Sequence, residues 1–188
     1  MTTYAEIYTD GSCHTQQCVG AWAAVLLIDE QKIVLSGKEI DTTHNRMEIL
    51  AVINAIKYIQ QHFTIITKIK IVSDSQYVIG LIGRQSKFTT SNFTTKAGND
   101  IRNVDLVKEL LHLVSIINVE FVKIKAHQKA TDVVNYNIEV DKLSRQLVRE
   151  SVKKLCRILF CFFIIKNTFC VFQKFNLFFS WCCILRIT

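Results

Sequence analysis

The chain opens on a period of two. From Tyr4 to Cys13 side chains alternate between two faces, β-branched and aromatic residues are frequent, and a Gly11-Ser12 pair follows, the pattern of a strand that ends in a tight bend. A second apolar run, Val19–Ile28, is joined through Asp29-Glu30-Gln31 to a third segment, Lys32–Glu39, which predicts an antiparallel meander. The period then becomes helical. Between Asn45 and Gln61, Met47, Leu50, Ala51, Ile53, Ile56 and Tyr58 recur on one side, and Thr42 or Thr43 can cap the start. Ile66–Ser73 is again a β-branched run, and it hands directly to Asp74–Ile82, a capping residue followed by a helical pattern. Residues 84–102 show no clear period, with Ser, Thr, Asn and Gly between cations, and predict a loop or irregular protrusion. Val104–Leu113 predicts a helix, Asn118–Lys125 a strand, and Asn137–Lys154 a helix with Val140, Leu143, Leu147, Val148 and Val152 on one side. A meander followed by alternating strands and helices implies an α/β fold, a mixed five-stranded sheet flanked by helices. No internal repeat is evident.

Composition changes this picture at one end. Of 188 residues, 49% are hydrophobic, ample for one core. Residues 155–188, however, contain no Asp or Glu, only four cations (Arg157, Lys166, Lys174, Arg186), eight of the twelve Phe and five of the seven Cys. A boundary near 154 separates a globular domain, 1–154, from a hydrophobic Phe/Cys-rich extension, 155–188, expected to be poorly structured. Without the four cations, 19 Lys and Arg face 16 Asp and Glu, so the net charge of +7 falls to +3. The globular part is mildly basic, compatible with a polyanionic partner without requiring one.

The uncharged runs of the extension, Ile158–Ile165, Asn167–Gln173 and Phe175–Leu185, fall short of the roughly 18 residues a span needs, so a membrane anchor is not expected. No basic segment followed by an apolar run heads the sequence, which predicts no signal peptide, a cytoplasmic location and reduced cysteines. Cys13 and Cys18 have no common zinc spacing. Proline is absent, leaving the turns to Gly, Asn, Ser and Asp.

Four acids carry the candidate chemistry. Asp10 closes a strand, Glu48 lies in the first turn of a helix, Asp74 sits at a strand-to-helix junction, and Asp141 is among apolar positions near the start of the last helix. Singly, each has an ordinary explanation as a cap, a turn residue, a helix-dipole partner or a surface acid. Together they differ, because strand ends and β-α junctions of such a sheet gather on one side. Carboxylates converging there repel by several kcal/mol at an effective dielectric of roughly 20 unless cations neutralise them. Oxygen-only ligation points to Mg²⁺ or Mn²⁺, and two such ions would suit phosphodiester hydrolysis.

Thr9-Asp10-Gly11-Ser12-Cys13, Asn45-Arg46-Met47-Glu48, Ser73-Asp74-Ser75-Gln76-Tyr77-Val78, Asn103-Val104-Asp105-Leu106 and Asn137…Asp141 resemble, in order and at compatible spacing, the motifs of type I ribonuclease H over about residues 1–150. The resemblance implies a ribonuclease H-like fold whose second strand is antiparallel to the rest. It implies an endonuclease that cleaves the RNA strand of RNA/DNA hybrids, leaving 5′-phosphate and 3′-hydroxyl ends, with Asp10, Glu48, Asp74 and Asp141 as ligands of two metal ions. It also implies proton transfer and product release by His127, which Lys129 could supplement. Asn45 and Gln76 match minor-groove contacts, Thr43 a contact to a DNA phosphate, and Cys13 and Asn137 lie in motifs that approach the substrate; Glu48 helps sense the 2′-hydroxyl. No protein partner is implied and a monomer is expected.

Two departures stand out. Ser12–Gly20 lacks the Gly/Pro-rich character of the family's first loop, and residues 84–102 hold only Arg84, Lys87, Lys96 and Arg102 where the family has a basic protrusion. The alternative activity is a hybrid-binding module whose catalysis has lapsed, against which the intact acidic quartet argues.

Overall fold

The structure, a computed structural model, describes residues 3–124 and 135–157. The chain divides into two units, Met1–Arg149 and Glu150–Thr188; in the second, residues 150–157 are described and are helical. The expectation for the rest of the extension lies outside the described residues. Among the described residues no helix is long and apolar enough to cross a membrane.

Five strands, β1 (Tyr4–His14), β2 (Val19–Ile28), β3 (Gln31–Ile40), β4 (Lys68–Ser73) and β5 (Asn118–Lys123), form one sheet in the order β3-β2-β1-β4-β5. Hairpins make β2 antiparallel to both β1 and β3. Helical crossovers make β4 parallel to β1 and β5 parallel to β4, so β2 alone opposes the other four, as expected.

The first strand corrects the sequence reading. No bend occurs at Gly11-Ser12: β1 runs on to His14, with Gly11 opposite Trp22 and Ser12 opposite Ala21. The turn comes later, at Thr15–Cys18, and Cys18 takes a positive φ of 49° there. Gly11 serves a close approach instead. A Cβ at that position would lie 2.6 Å from the carbonyl carbon of Met47 and press on the amide nitrogen of Glu48. Glycine inside a strand pattern signals close backbone approach as readily as a turn, and here a helix supplies it.

That helix, α1 (His44–His62), starts at Thr43, whose hydroxyl accepts from the Arg46 amide at 3.4 Å. Its buried stripe of Ile49, Val52, Ile53, Ile56 and Ile59 packs on one sheet face with Ile7, Leu26, Ile69 and Ile71. Each such aliphatic side chain contributes about 1.5–3 kcal/mol on full burial. Helix α4 (Val104–Ile116) adds Leu106, Val107 and Leu110 to the same cluster. On the opposite face a helix over residues 136–157 (α5) sets Val140 against Ala23 and Val25, flanked by Tyr8, Leu27, Tyr136 and Leu143.

Two further differences are local. Residues 84–102, expected to be irregular, contain a helix, α3 (Gln85–Thr90), which the sequence hides because only Phe88 is buried in it. Phe88 joins the main core and stacks with Phe93 at 6.3 Å, so the segment is held by aromatic contacts rather than by a periodic stripe. Helix α2 (Gln76–Ile82) is capped by Ser75, whose hydroxyl accepts from the Val78 amide; Asp74 does not cap it.

Candidate active site

The sheet brings the first two acids together. In the parallel register Tyr8 pairs with Val72, so Asp10 and Asp74 each lie two residues beyond the same rung; Asp74 follows the end of β4, while Asp10 lies within β1, which runs on past that end to His14, and not at the strand end the sequence suggested. The close approach at Gly11 brings α1 to β1 and with it Glu48, which sits in the second turn of the helix and not in the first, since α1 begins at His44. Asp141 arrives on α5, three residues before Ser144, whose hydroxyl donates to Asp10 Oδ2 at 2.5 Å.

Burial dominates the electrostatics. Asp10 is half-buried, and its carboxyl is pushed up to about 6, first by desolvation; the charges of Asp74 and Asp141 add to the rise, while the Ser144 hydrogen bond and the nearby His44 pull the other way. A half-buried acid beside two others is only partly compensated by His44, and the carboxylate donors are all oxygens, which fits a hard divalent cation. Among the described residues, however, no three acidic, histidine or cysteine side chains form a ready-made metal cage.

The hydrogen bonds explain why. Glu48 Oε2 accepts from the Ser75 hydroxyl at 2.6 Å, and Glu48 Oε1 lies 3.2 Å from His44 Nε2. Asp141 is held by Arg145 at 2.8 Å. Asp10, Glu48 and Asp141 are therefore each engaged by a side chain of the protein. Asp10, Glu48, Asp74 and Asp141 could hold a cation once these donors yield.

Sequence reasoning missed those donors: His44, Ser75, Ser144 and Arg145. His44 precedes Glu48 by one turn and Arg145 follows Asp141 by one turn, a signal available as soon as the two helices are drawn. The bond to Glu48 raises the His44 imidazole above its ordinary value, burial opposes this, and the charges of Glu48, Asp10 and Asp74 add to the rise.

The expected substrate residues fall into two groups. Thr43 and Gln76 are exposed at the starts of α1 and α2, and Asn45 is half-buried in the first turn of α1. Thr43 shares an open groove with Lys38, Arg46 and Asn103. Arg46 is fixed there by Asp105 at 3.0 Å and Glu39 at 3.2 Å. Cys13 and Asn137 are less open than these. The Cys13 thiol, raised by burial and then by Cys18, donates to the Thr42 carbonyl at 3.5 Å. Asn137 is buried, its Oδ1 without a hydrogen-bond partner. His127 and Lys129 lie outside the described residues.

In residues 84–102 two of the nearby cations lean on aromatic rings. Arg84 lies 5.3 Å over Phe88 and donates to the Gly80 carbonyl, and Lys108, from α4, lies 5.2 Å over Phe93.

The chain matches the RNase H family over residues 2–149. It is 34% identical over 146 residues to a ribonuclease H of Caldicellulosiruptor saccharolyticus, covering 77% of this chain and 95% of that one. It is 35% identical over 151 residues to a ribonuclease H of Thermoanaerobacter sp., covering 79% and 92%. The fold is similar to that of LC9-RNase H1, a type 1 RNase H with the type 2 active-site motif, at a TM-score of 0.66 and 20% identity over 80% of this chain and 74% of that one. It is also similar to a foamy viral protease-reverse transcriptase solved with dsDNA, at a TM-score of 0.61 and 21% identity over 76% and 92%. With its strand order, its family match over residues 2–149 and relatives covered over 92–95% of their own lengths, the chain belongs to the ribonuclease H family and is an enzyme of that kind.

Proposed function

We propose that this enzyme hydrolyses the RNA strand of RNA/DNA hybrids with two divalent cations, Mg²⁺ or Mn²⁺, leaving 5′-phosphate and 3′-hydroxyl ends. The observation that carries the reading is Asp10: a half-buried carboxyl on the central strand, pushed up to about 6, beside the end of β4 where Asp74 and Asp141 act on it. Bound cations would supply an activated water and neutralise charge on the scissile phosphate. Asp10, Glu48, Asp74 and Asp141 would hold them, with Glu48 released from His44 and Ser75, and Asp141 from Arg145.

For substrate, Thr43 and Arg46 lie in one groove, where a DNA-strand phosphate would meet a hydroxyl and a guanidinium. Asn45 and Gln76 offer amides to sugar and base edges without sequence preference, and the 2′-hydroxyl distinguishes RNA from DNA. His127 would carry a proton near the leaving group, with Lys129 as its supplement.

Incubation with labelled RNA/DNA hybrid, duplex DNA and duplex RNA, with metal or chelator and beside Asp10→Asn, tests the proposal. Cleavage of hybrid alone, lost with chelator and with the substitution, is expected. Metal-independent cleavage, or equal cleavage of duplex DNA, would overturn it.

A further inference from the structure

Ser144 is a fully buried polar side chain that the sequence motifs do not single out. It lies one turn beyond Asp141 on α5, and its one hydroxyl proton has two acceptors within reach: Asp10 Oδ2 at 2.5 Å and the Asp141 backbone carbonyl at 3.1 Å. The first bond joins α5 to the central strand across 134 positions of sequence. The second is a local bond of a kind any helical serine can make. A serine needing only satisfaction would use the carbonyl alone. Here the shorter bond goes to the Asp10 carboxylate on the central strand.

The consequence is geometric. A carboxylate in contact with other carboxylates turns away from them unless something holds it. Ser144 fixes one oxygen of Asp10 and leaves Oδ1, and the second lone pair of Oδ2, available for ligation. Because the hydroxyl is neutral, it orients the acid without competing as a charge, unlike Arg145 on Asp141. We infer that Ser144 is a positioning residue that presents Asp10 to a divalent cation. This rests on the proposed metal-dependent reading of the site.

The test uses the full chain and calorimetric titration of metal-free protein with Mn²⁺, comparing wild type, Asp10→Asn, Ser144→Ala and Ser144→Thr. Partners that orient a metal ligand typically change metal affinity by about 10–100-fold, so Ser144→Ala is expected to weaken Mn²⁺ binding by roughly ten-fold or more. Ser144→Thr, which keeps the hydroxyl, recovers most of it. In steady-state cleavage Ser144→Ala raises the Mn²⁺ requirement and leaves KM for the hybrid unchanged, a split that general loosening of the helix would not produce. Wild-type affinity in folded Ser144→Ala, with Asp10→Asn still defective, overturns the role of Ser144 alone. Absence of Mn²⁺ binding by wild type, or undiminished binding by Asp10→Asn, overturns the metal-dependent reading itself.

Discussion

Asp10 carries the clearest thermodynamic signature at the residue scale. Its carboxyl titrates at about 6 in the folded protein against an ordinary 3.8, with burial the first cause. An acid raised on folding favours the native state while protonated. That contribution is complete below about pH 3.8 and is lost as pH rises through about 6. A shift near two units corresponds to about 3 kcal/mol at about 1.4 kcal/mol per unit. Asp10→Asn is isosteric and uncharged, and its amide oxygen can still accept from Ser144. We expect it to stabilise the metal-free protein at pH 7.5 by up to about 3 kcal/mol and to change little near pH 4. Denaturant unfolding with chelator at the two pH values checks this, and an equal effect at both would remove the electrostatic explanation. The four acids were legible in the sequence only as a group, because strand ends and β-α junctions of such a sheet gather on one side. The side chains that hold them were not, since a serine or histidine at helical spacing looks like any surface residue until the helix is turned toward the sheet.

Gly11 and Ser75 belong to the scale of the element, where each joins two segments. A methyl group at Gly11 meets backbone atoms of Met47 and Glu48, which cannot swing aside as a long side chain can. Gly11→Ala should therefore push α1 from β1 and cost about 1–3 kcal/mol or more, as overpacking does, with loss of activity because Glu48 moves with the helix. A melting temperature within a degree of wild type would show that the approach is softer than the geometry implies. Ser75 caps α2 and holds Glu48, so Ser75→Ala is expected to cost about 1 kcal/mol in the same melts through the cap. The meander, the long helix α1 and the β-α entry were readable because each rests on a period within one segment. The bend wrongly expected at Gly11, and the helix hidden in residues 84–102, both turn on non-local contacts. In the first a crossing helix dictates the glycine; in the second Phe88 and Phe93 anchor a segment with no stripe of its own.

At the scale of the whole molecule the question is which cations meet a polyanion. The family match ends at residue 149, and the bacterial relatives are covered over 92–95% of their lengths, so the enzyme's family machinery lies before the composition break. Residues 1–154 carry a net charge of +3, and the extension adds four cations without an acid. If those four neutralised phosphates, each would steepen log K against log salt by about 0.9. Within the family domain Arg84 and Lys108 lie over aromatic rings, and residues 84–102 hold only four cations, which leaves few for phosphates beside Arg46. We therefore expect hybrid binding by the Asp10→Asn protein to show a shallow salt slope, and truncation after Lys154 to leave both that slope and the cleavage rate of the otherwise wild-type enzyme unchanged. Titrations of labelled hybrid at several salt concentrations, with full-length and truncated protein side by side, measure it. A slope shallower by about two or more in the truncated protein would place at least two cations of the extension on the nucleic acid. Loss of cleavage on truncation would place part of the working enzyme beyond the family domain.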